Sequence, residues 1–263
     1  MKIAIIGYGK TGHAIERVAL ERGHETVRRI DAGNTADLGS ELLRSADVAI
    51  EFTTPSTARA NIEASVAAGV PVVCGTTGWL DALPEVARTV EQAGSALLAS
   101  SNFSVGVYIT RLANSYLASM MGRIDGYRPR LAETHHIHKL DYPSGTAITI
   151  ANDIVEQCRT IECWKGVGKV DAGTPGAPAQ ELTVERNIAA LPAGTLPVTA
   201  IRRGEVPGIH TVTWESDADS ITLTHSAKSR DGFALGAVMA AEWLKGRRGV
   251  YTIDDMMTQI LDL

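Results

Sequence analysis

Between residues 3 and 99, short apolar runs alternate with helical segments, and this alternation constrains the fold more than any other feature. Residues 3–6, 25–30, 48–52, 70–74 and 96–99 read as strands; 13–22, 57–68 and 83–93 read as helices. Apolar, β-branched runs buried on both faces and separated by helices make βαβ crossovers, hence a parallel sheet with its carboxyl-terminal loops along one edge.

The first crossover carries Gly7-Tyr8-Gly9-Lys10-Thr11-Gly12 between strand and helix, and Asp31 closes the second strand. Three glycines at this spacing let backbone approach a pyrophosphate, the helix start favours its charge, and an acidic residue about 20 positions on accepts ribose hydroxyls. The context points to a dinucleotide. Asp31 followed by Ala32 favours a free 2′-hydroxyl and so NADH; Lys10, Arg28 and Arg29 offer positive charge nearby. Two further loops at strand ends, Gly75-Thr76-Thr77-Gly78 and Ser100-Ser101-Asn102-Phe103, belong to the same sheet edge and read as cofactor contacts.

The pattern changes after Phe103. Helices are expected at 107–121, 146–160, 234–245 and 252–261, with extended segments at 129–134, 185–190, 198–203, 210–215 and 220–227. The Gly- and Pro-rich stretch 166–179 reads as a mobile loop. The expected organisation is a Rossmann-type α/β domain over 1–104 and 231–263, binding a dinucleotide. An α+β domain with a mixed sheet, over 105–230, would bind substrate and mediate oligomerisation.

Composition narrows the classes. The chain has 263 residues, a net charge of −5 and no basic stripe with interleaved aromatics, so no nucleic-acid partner is expected. No run approaches the roughly 20 apolar residues of a membrane span. Three cysteines without CxxC spacing read as reduced thiols of a cytoplasmic protein.

The chemistry gathers in Glu133-Thr134-His135-His136-Ile137-His138-Lys139-Leu140-Asp141-Tyr142-Pro143-Ser144-Gly145-Thr146. Imidazoles exchange protons near neutrality, a lysine adds a point charge, and Ser144-Gly145-Thr146 opening a helix offers a hydroxyl and amides to a carboxylate. Read as an extended segment, the run would alternate faces, with His135, Ile137 and Lys139 opposite His136 and His138. Three histidines on one strand cannot then converge on zinc, no cysteine pair supplies the rest of a site, and no metal is expected. The residues read as a proton donor beside an anion-binding turn.

This stretch resembles the E-x-H-H-x-x-K-x-D-x-P-S-G-T-A signature of the dihydrodipicolinate (4-hydroxy-tetrahydrodipicolinate) reductase family, an enzyme of lysine biosynthesis. Phe52-Thr53, Gly75-Thr76-Thr77-Gly78, Asn102-Phe103-Ser104-Val105-Gly106-Val107, Arg202-Arg203-Gly204, Gly208-Ile209-His210-Thr211 and Ser229-Arg230 extend the resemblance over nearly the whole chain. It implies NAD(P)H-dependent reduction of a small cyclic dicarboxylate. His135 would be the acid/base and Lys139 the proton donor or orienting cation. His136, Ser144, Gly145 and Thr146 would bind substrate. Gly7, Tyr8, Gly9, Lys10, Thr11, Gly12, Asp31, Gly75, Thr76, Thr77, Ser100, Ser101, Asn102, Phe103 and Arg230 would bind cofactor. It also implies a homotetramer built through the sheet of the second domain. Two departures bear on the cofactor: the segment between Asp31 and Asp47 is short for the family, and the glycine loop places Lys10 about where the family carries arginine, a position compatible with NADPH. Other two-domain dehydrogenases lack the His-His…Lys…Ser-Gly-Thr run; a dinucleotide-sensing regulator would bind NADH without turning over the cyclic dicarboxylate.

Overall fold

The computed structural model describes residues 1–263. Eleven strands and nine α-helices follow one another as β1 (Lys2–Ile6), α1 (Lys10–Glu21), β2 (Glu25–Ile30), α2 (Glu41–Arg44), β3 (Val48–Glu51), α3 (Pro55–Ala67), β4 (Val72–Cys74), α4 (Leu83–Gln92) and β5 (Ala96–Ala99). Then come α5 (Val105–Met121), β6 (Arg128–His135), α6 (Gly145–Gln157), β7 (Cys163–Asp171), α7 (Ala177–Ala189), β8 (Thr195–Arg202), β9 (Ile209–Glu215) and β10 (Ser220–Ser226). The chain ends with α8 (Asp231–Leu244), β11 (Gly249–Tyr251) and α9 (Ile253–Leu261). It divides into two compact units, Met1–Val105 with Arg230–Leu263, and Gly106–Ser229. No helix is long and apolar enough to cross a membrane.

The first unit is built on a six-stranded sheet in the order β11-β5-β4-β3-β1-β2. Its paired strands all run parallel. Burial on both faces selects the residues: Ile3, Ala4, Ile5 and Ile6 of β1 and Val48, Ala49 and Ile50 of β3 are all buried. Each such large aliphatic side chain contributes about 1.5–3 kcal/mol by leaving water. From β1 the chain goes to β2 on one side and later crosses to β3 on the other. The loops after β1 and β3 therefore flank the topological switch point, where open parallel sheets bind ligands. Thr54 opens α3 with a capping box and Pro55 sits in its first turn, two start signals that set its boundary ahead of residue 57.

The second unit carries a five-stranded mixed sheet, β10-β9-β6-β8-β7. β9 is antiparallel to β10 and β6, whereas β6, β8 and β7 run parallel. One face packs Leu131, Val198, Val212 and the fully buried Trp214 against Ala147, Ile150, Ala151 and Ile154 of α6. A smaller core on α7 unites Val167, Val170, Ala177 and Val184.

Here the structure departs from the sequence expectation. Residues 166–171 are not loop but the second half of β7, paired in register with β8 through a bulge between Gly166 and Gly168. Their glycines hide a strand whose ladder is dictated by its neighbour. Residues 185–190, expected to be extended, lie mostly in α7. There the helical spacing of Ala177, Val184 and Ile188, all packed on β7, overrides the short apolar alternation. The edge strand β11 went unread because three residues carry no periodicity.

Candidate active site

The glycine loop is a cradle made of backbone. Gly7 has φ +92°, and a Cβ there would overlap the Phe52 carbonyl; a Cβ at Gly12 would overlap the Gly7 carbonyl. Gly7 N donates to Ile30 O at 2.8 Å and Phe52 N to Ile6 O at 2.8 Å, locking the loop between β2 and β3. Gly9 precedes α1 with no side-chain cap, and a Cβ at its position would meet nothing within 4 Å. Close packing inside and an open, uncapped helix start outside suit a dinucleotide pyrophosphate. Tyr8 donates to Glu16, which also pairs with Arg29; Arg28 pairs with Asp37. Both strand arginines are thus already neutralised. Asp31 stands exposed at the end of β2, one carboxylate oxygen accepting from Ala32 N at 2.9 Å.

The neighbouring loops are tied together by a carboxylate that sequence reading did not single out. Glu51, fully buried at the end of β3, accepts from Thr53 Oγ1, from Asn61 Nδ2 at 3.3 Å and from Cys74 Sγ at 3.0 Å. Burial and the adjacent Glu51 charge push the Cys74 thiol far up, so it stays protonated and donates. Thr53 N in turn donates to Thr76 Oγ1 at 2.7 Å, and the Trp79 indole donates to Thr76 O at 2.9 Å. Thr77 is exposed beside the buried Thr76. In the loop after β5, Ser100 Oγ donates to Asn102 O at 2.9 Å, Ser101 is exposed and Phe103 is buried. Arg230 is exposed at the position just before α8 and makes no side-chain bond to the helix start.

In the second unit the structure gathers side chains instead. β6 ends at His135; the chain then turns, with Lys139 N donating to His136 O at 3.1 Å. The expected alternation through residue 139 stops there, so Lys139 reaches its place by a turn rather than by strand parity. Glu133 and His135, two apart on one strand, share a face, and Glu133 accepts from His135 Nδ1. The parallel register sets Arg202 of β8 beside His135; the antiparallel register sets His210 of β9 beside Glu133. All four are buried. Arg202 forks onto Glu133, Nη1 to Oε2 and Nη2 to Oε1, both at 3.1 Å. For Glu133 burial acts upward, but hydrogen bonds and charge from His135 and Arg202 outweigh it and hold the carboxyl below its ordinary range.

Ser144 caps α6, its Oγ accepting from Ala147 N at 3.2 Å and lying 3.1 Å from His210 Nε2. Gly145 and Thr146 form the first turn of that helix. The His210 and His135 rings meet edge to face at 5.2 Å. Lys139 Nζ rests on Asp141 at 2.8 Å, and His138, exposed, pairs with Glu205 at 3.1 Å. His136 is half-buried. No group of three or more His, Cys, Asp or Glu side chains is placed to hold a metal ion.

Two family models match in tandem, "Dihydrodipicolinate reductase, N-terminus" over residues 1–103 and "Dihydrodipicolinate reductase, C-terminus" over residues 106–257. The chain belongs to the dihydrodipicolinate reductase family. It is 39% identical to the 4-hydroxy-tetrahydrodipicolinate reductase of Christiangramia forsetii over 261 residues, covering 99% of each chain. It is 35% identical to the enzyme of that name from Archaeoglobus fulgidus, over 98% of this chain and 100% of the relative. A dipicolinate-bound dihydrodipicolinate reductase from Paenisporosarcina sp. TG-14 shares the fold, with a TM-score of 0.72 at 19% identity over 96% of this chain and 97% of that one. The family comprises NAD(P)H-dependent oxidoreductases of lysine biosynthesis.

Within the family's second unit, sequence reading reached His135, His136, Lys139, Ser144, Gly145 and Thr146 but assigned no role to Glu133, Arg202 or His210. A signal existed: charged or imidazole residues at the ends of otherwise apolar strands, where a buried polar group must have a partner. Which partner depends on strand order and register, and neither is written in a local motif.

Proposed function

We propose that this chain reduces 4-hydroxy-tetrahydrodipicolinate to tetrahydrodipicolinate with NADH or NADPH in lysine biosynthesis, His135 supplying the proton. The observation that carries this reading is the buried Glu133–His135 pair next to the Ser144-capped start of α6. When bound, the reduced nicotinamide supplies the hydride. The chain's own residues hold the substrate and move the proton. Gly145 and Thr146 at the head of α6 offer amides to one carboxylate, with the helix dipole behind them. Lys139 turns from Asp141 to the substrate's negative charge, and His136 contacts the ring. Once water has left and hydride has added, His135 passes a proton from Nε2 to the resulting carbanion or enamine, ending as neutral imidazole.

Gly7 to Gly12, Asp31, Gly75 to Thr77, Ser100 to Phe103 and Arg230 bind the cofactor in this proposal. NADH is preferred, because Asp31 accepts ribose hydroxyls and Arg28 and Arg29 are already paired with carboxylates. Lys10 at the head of α1 supplies the charge that lets NADPH bind as well. The enzyme is cytoplasmic and works as a homotetramer. Its subunits associate through the open face of β9 and β10, where Thr211 meets Thr224 and Thr213 meets Thr222. The test is an assay following NADH and NADPH oxidation when the condensation product of pyruvate and aspartate semialdehyde is supplied. Oxidation of both, with the larger kcat/KM for NADH, is expected. Oxidation of neither overturns the reaction; a larger kcat/KM for NADPH overturns the cofactor preference.

A further inference from the structure

We infer that Arg202 and Glu133 are the positioning residues of this site. One buried guanidinium sets both groups read above as handling proton and charge, His135 through Glu133 and Lys139 through the backbone. The inference rests on the reading of His135 as proton donor and adds how that residue is held.

Arg202 is 1% exposed, and its hydrogen bonds use the whole guanidinium. Nη1 donates to Glu133 Oε2 at 3.1 Å and Ile201 O at 2.8 Å; Nη2 donates to Glu133 Oε1 at 3.1 Å and Asp141 O at 2.8 Å; Nε donates to Lys139 O at 3.2 Å. A planar fork with five donors does this; an ammonium with three cannot. The carbonyls of Lys139 and Asp141 are held by the same cation that braces Glu133. Arg203 N donating to His135 O at 2.9 Å and Ile137 N to Gly204 O at 3.0 Å tie the β6 end to the β8 end as well.

Glu133 kept ionised is an acceptor only, so the His135 Nδ1 facing it must carry a hydrogen. The neutral imidazole is therefore the Nδ1–H tautomer, and Nε2 is the atom that takes and releases the proton. The far side of the ring is kept clear by Gly208, at φ +158°, where an added Cβ would lie 3.0 Å from Nε2. A buried ion pair adds little net stability over an apolar pair of similar size, so stability alone does not account for this pair. What it does supply is one tautomer and one orientation.

The experiment uses the full chain labelled with 15N-histidine, the His135 signals being identified by their loss in His135→Gln. The neutral His135 ring is expected as Nδ1–H in the wild type and shifted toward Nε2–H in Glu133→Gln. That variant should lose roughly 10²–10⁴-fold in kcat, because an acid catalyst then carries its proton on the wrong nitrogen, with KM for NADH within about twofold of wild type. Arg202→Lys should lower kcat and also raise KM for the dicarboxylate, because the Lys139 backbone is released. An Nε2–H tautomer in the wild type overturns the inference, and reading it needs only the His135→Gln protein used for the assignment, not the Glu133 or Arg202 variants. So does a Glu133→Gln protein with wild-type kcat. If His135→Gln itself keeps wild-type kcat, the proton-donor reading falls; if it collapses kcat while the wild-type ring is Nε2–H, only the positioning inference falls.

Discussion

The two units build sites from different materials. In the first, the glycine loop proposed to cradle a pyrophosphate is made of main chain: Gly7 and Gly12 lie so close to neighbouring carbonyls that a single added carbon would not fit. In the second, the site is made of buried charge: Glu133, His135, Arg202 and His210 come from three adjacent strands. A backbone site fails when atoms are added. A charge network fails when one partner is removed, because the group left behind stays buried and unpaired.

The sharpest break of that contrast is His135→Gln. Removing an acid catalyst costs about 10²–10⁴-fold in rate, so kcat should fall by that much while the NADH dissociation constant, measured by fluorescence titration, hardly moves. Lys139→Ala in the same assay should raise KM for the dicarboxylate as well as lower kcat; unchanged steady-state kinetics would remove Lys139 from the site. Weaker NADH binding with intact kcat in His135→Gln would place that residue on the cofactor side and erase the division between the units.

Next in size is a pH effect peculiar to the charge network. Burial, reinforced by the neighbouring His135, pushes the His210 imidazole from 6.5 down to about 4, with Glu133 opposing. Because the folded-state value lies below the unfolded one, the unfolded chain binds the extra proton first. The stability from neutral His210 is therefore complete above pH 6.5 and is lost as pH falls toward about 4. Over that window urea unfolding should register a decline of roughly 3 kcal/mol, at 1.36 kcal/mol per pK unit, beyond that seen in His210→Gln. Parallel pH profiles for the two proteins would contradict the assignment.

The smallest effect tests the backbone site. Gly7→Ala puts a side chain at positive φ and into the Phe52 carbonyl and should cost about 1–3 kcal/mol of unfolding free energy, with weakened dinucleotide binding. Gly9→Ala, facing open space, should leave stability within about 0.5 kcal/mol. Equal losses at the two positions, read by thermal or urea unfolding, would mean that close packing is not what sets the cradle.

The same contrast explains how far the residues could be read in order. Gly7, Gly9, Gly12 and Asp31 stand at fixed offsets along one βαβ unit, so the parallel sheet and its loop ends were legible from local periodicity. A helix starting after Ser144 was legible too; that the Ser144 hydroxyl itself caps it, accepting from Ala147 N, was not. Glu51, Arg202 and His210 were not, nor was β7, since each acquires its role from a neighbour that is distant in sequence. The turn after His135 also escaped, because it is set by hydrogen bonds to Arg203 and Gly204 rather than by any propensity of His-Ile-His-Lys.

By itself, then, the order of residues determined the alternation of strands and helices in the first unit and the glycine loop between β1 and α1, because these depend on contacts within a few positions. The tertiary structure alone decided that Arg202 and not another cation braces Glu133, and that His210 stays neutral beside His135. Both follow from which strands lie side by side and in what register, which the whole sheet settles as it buries its faces.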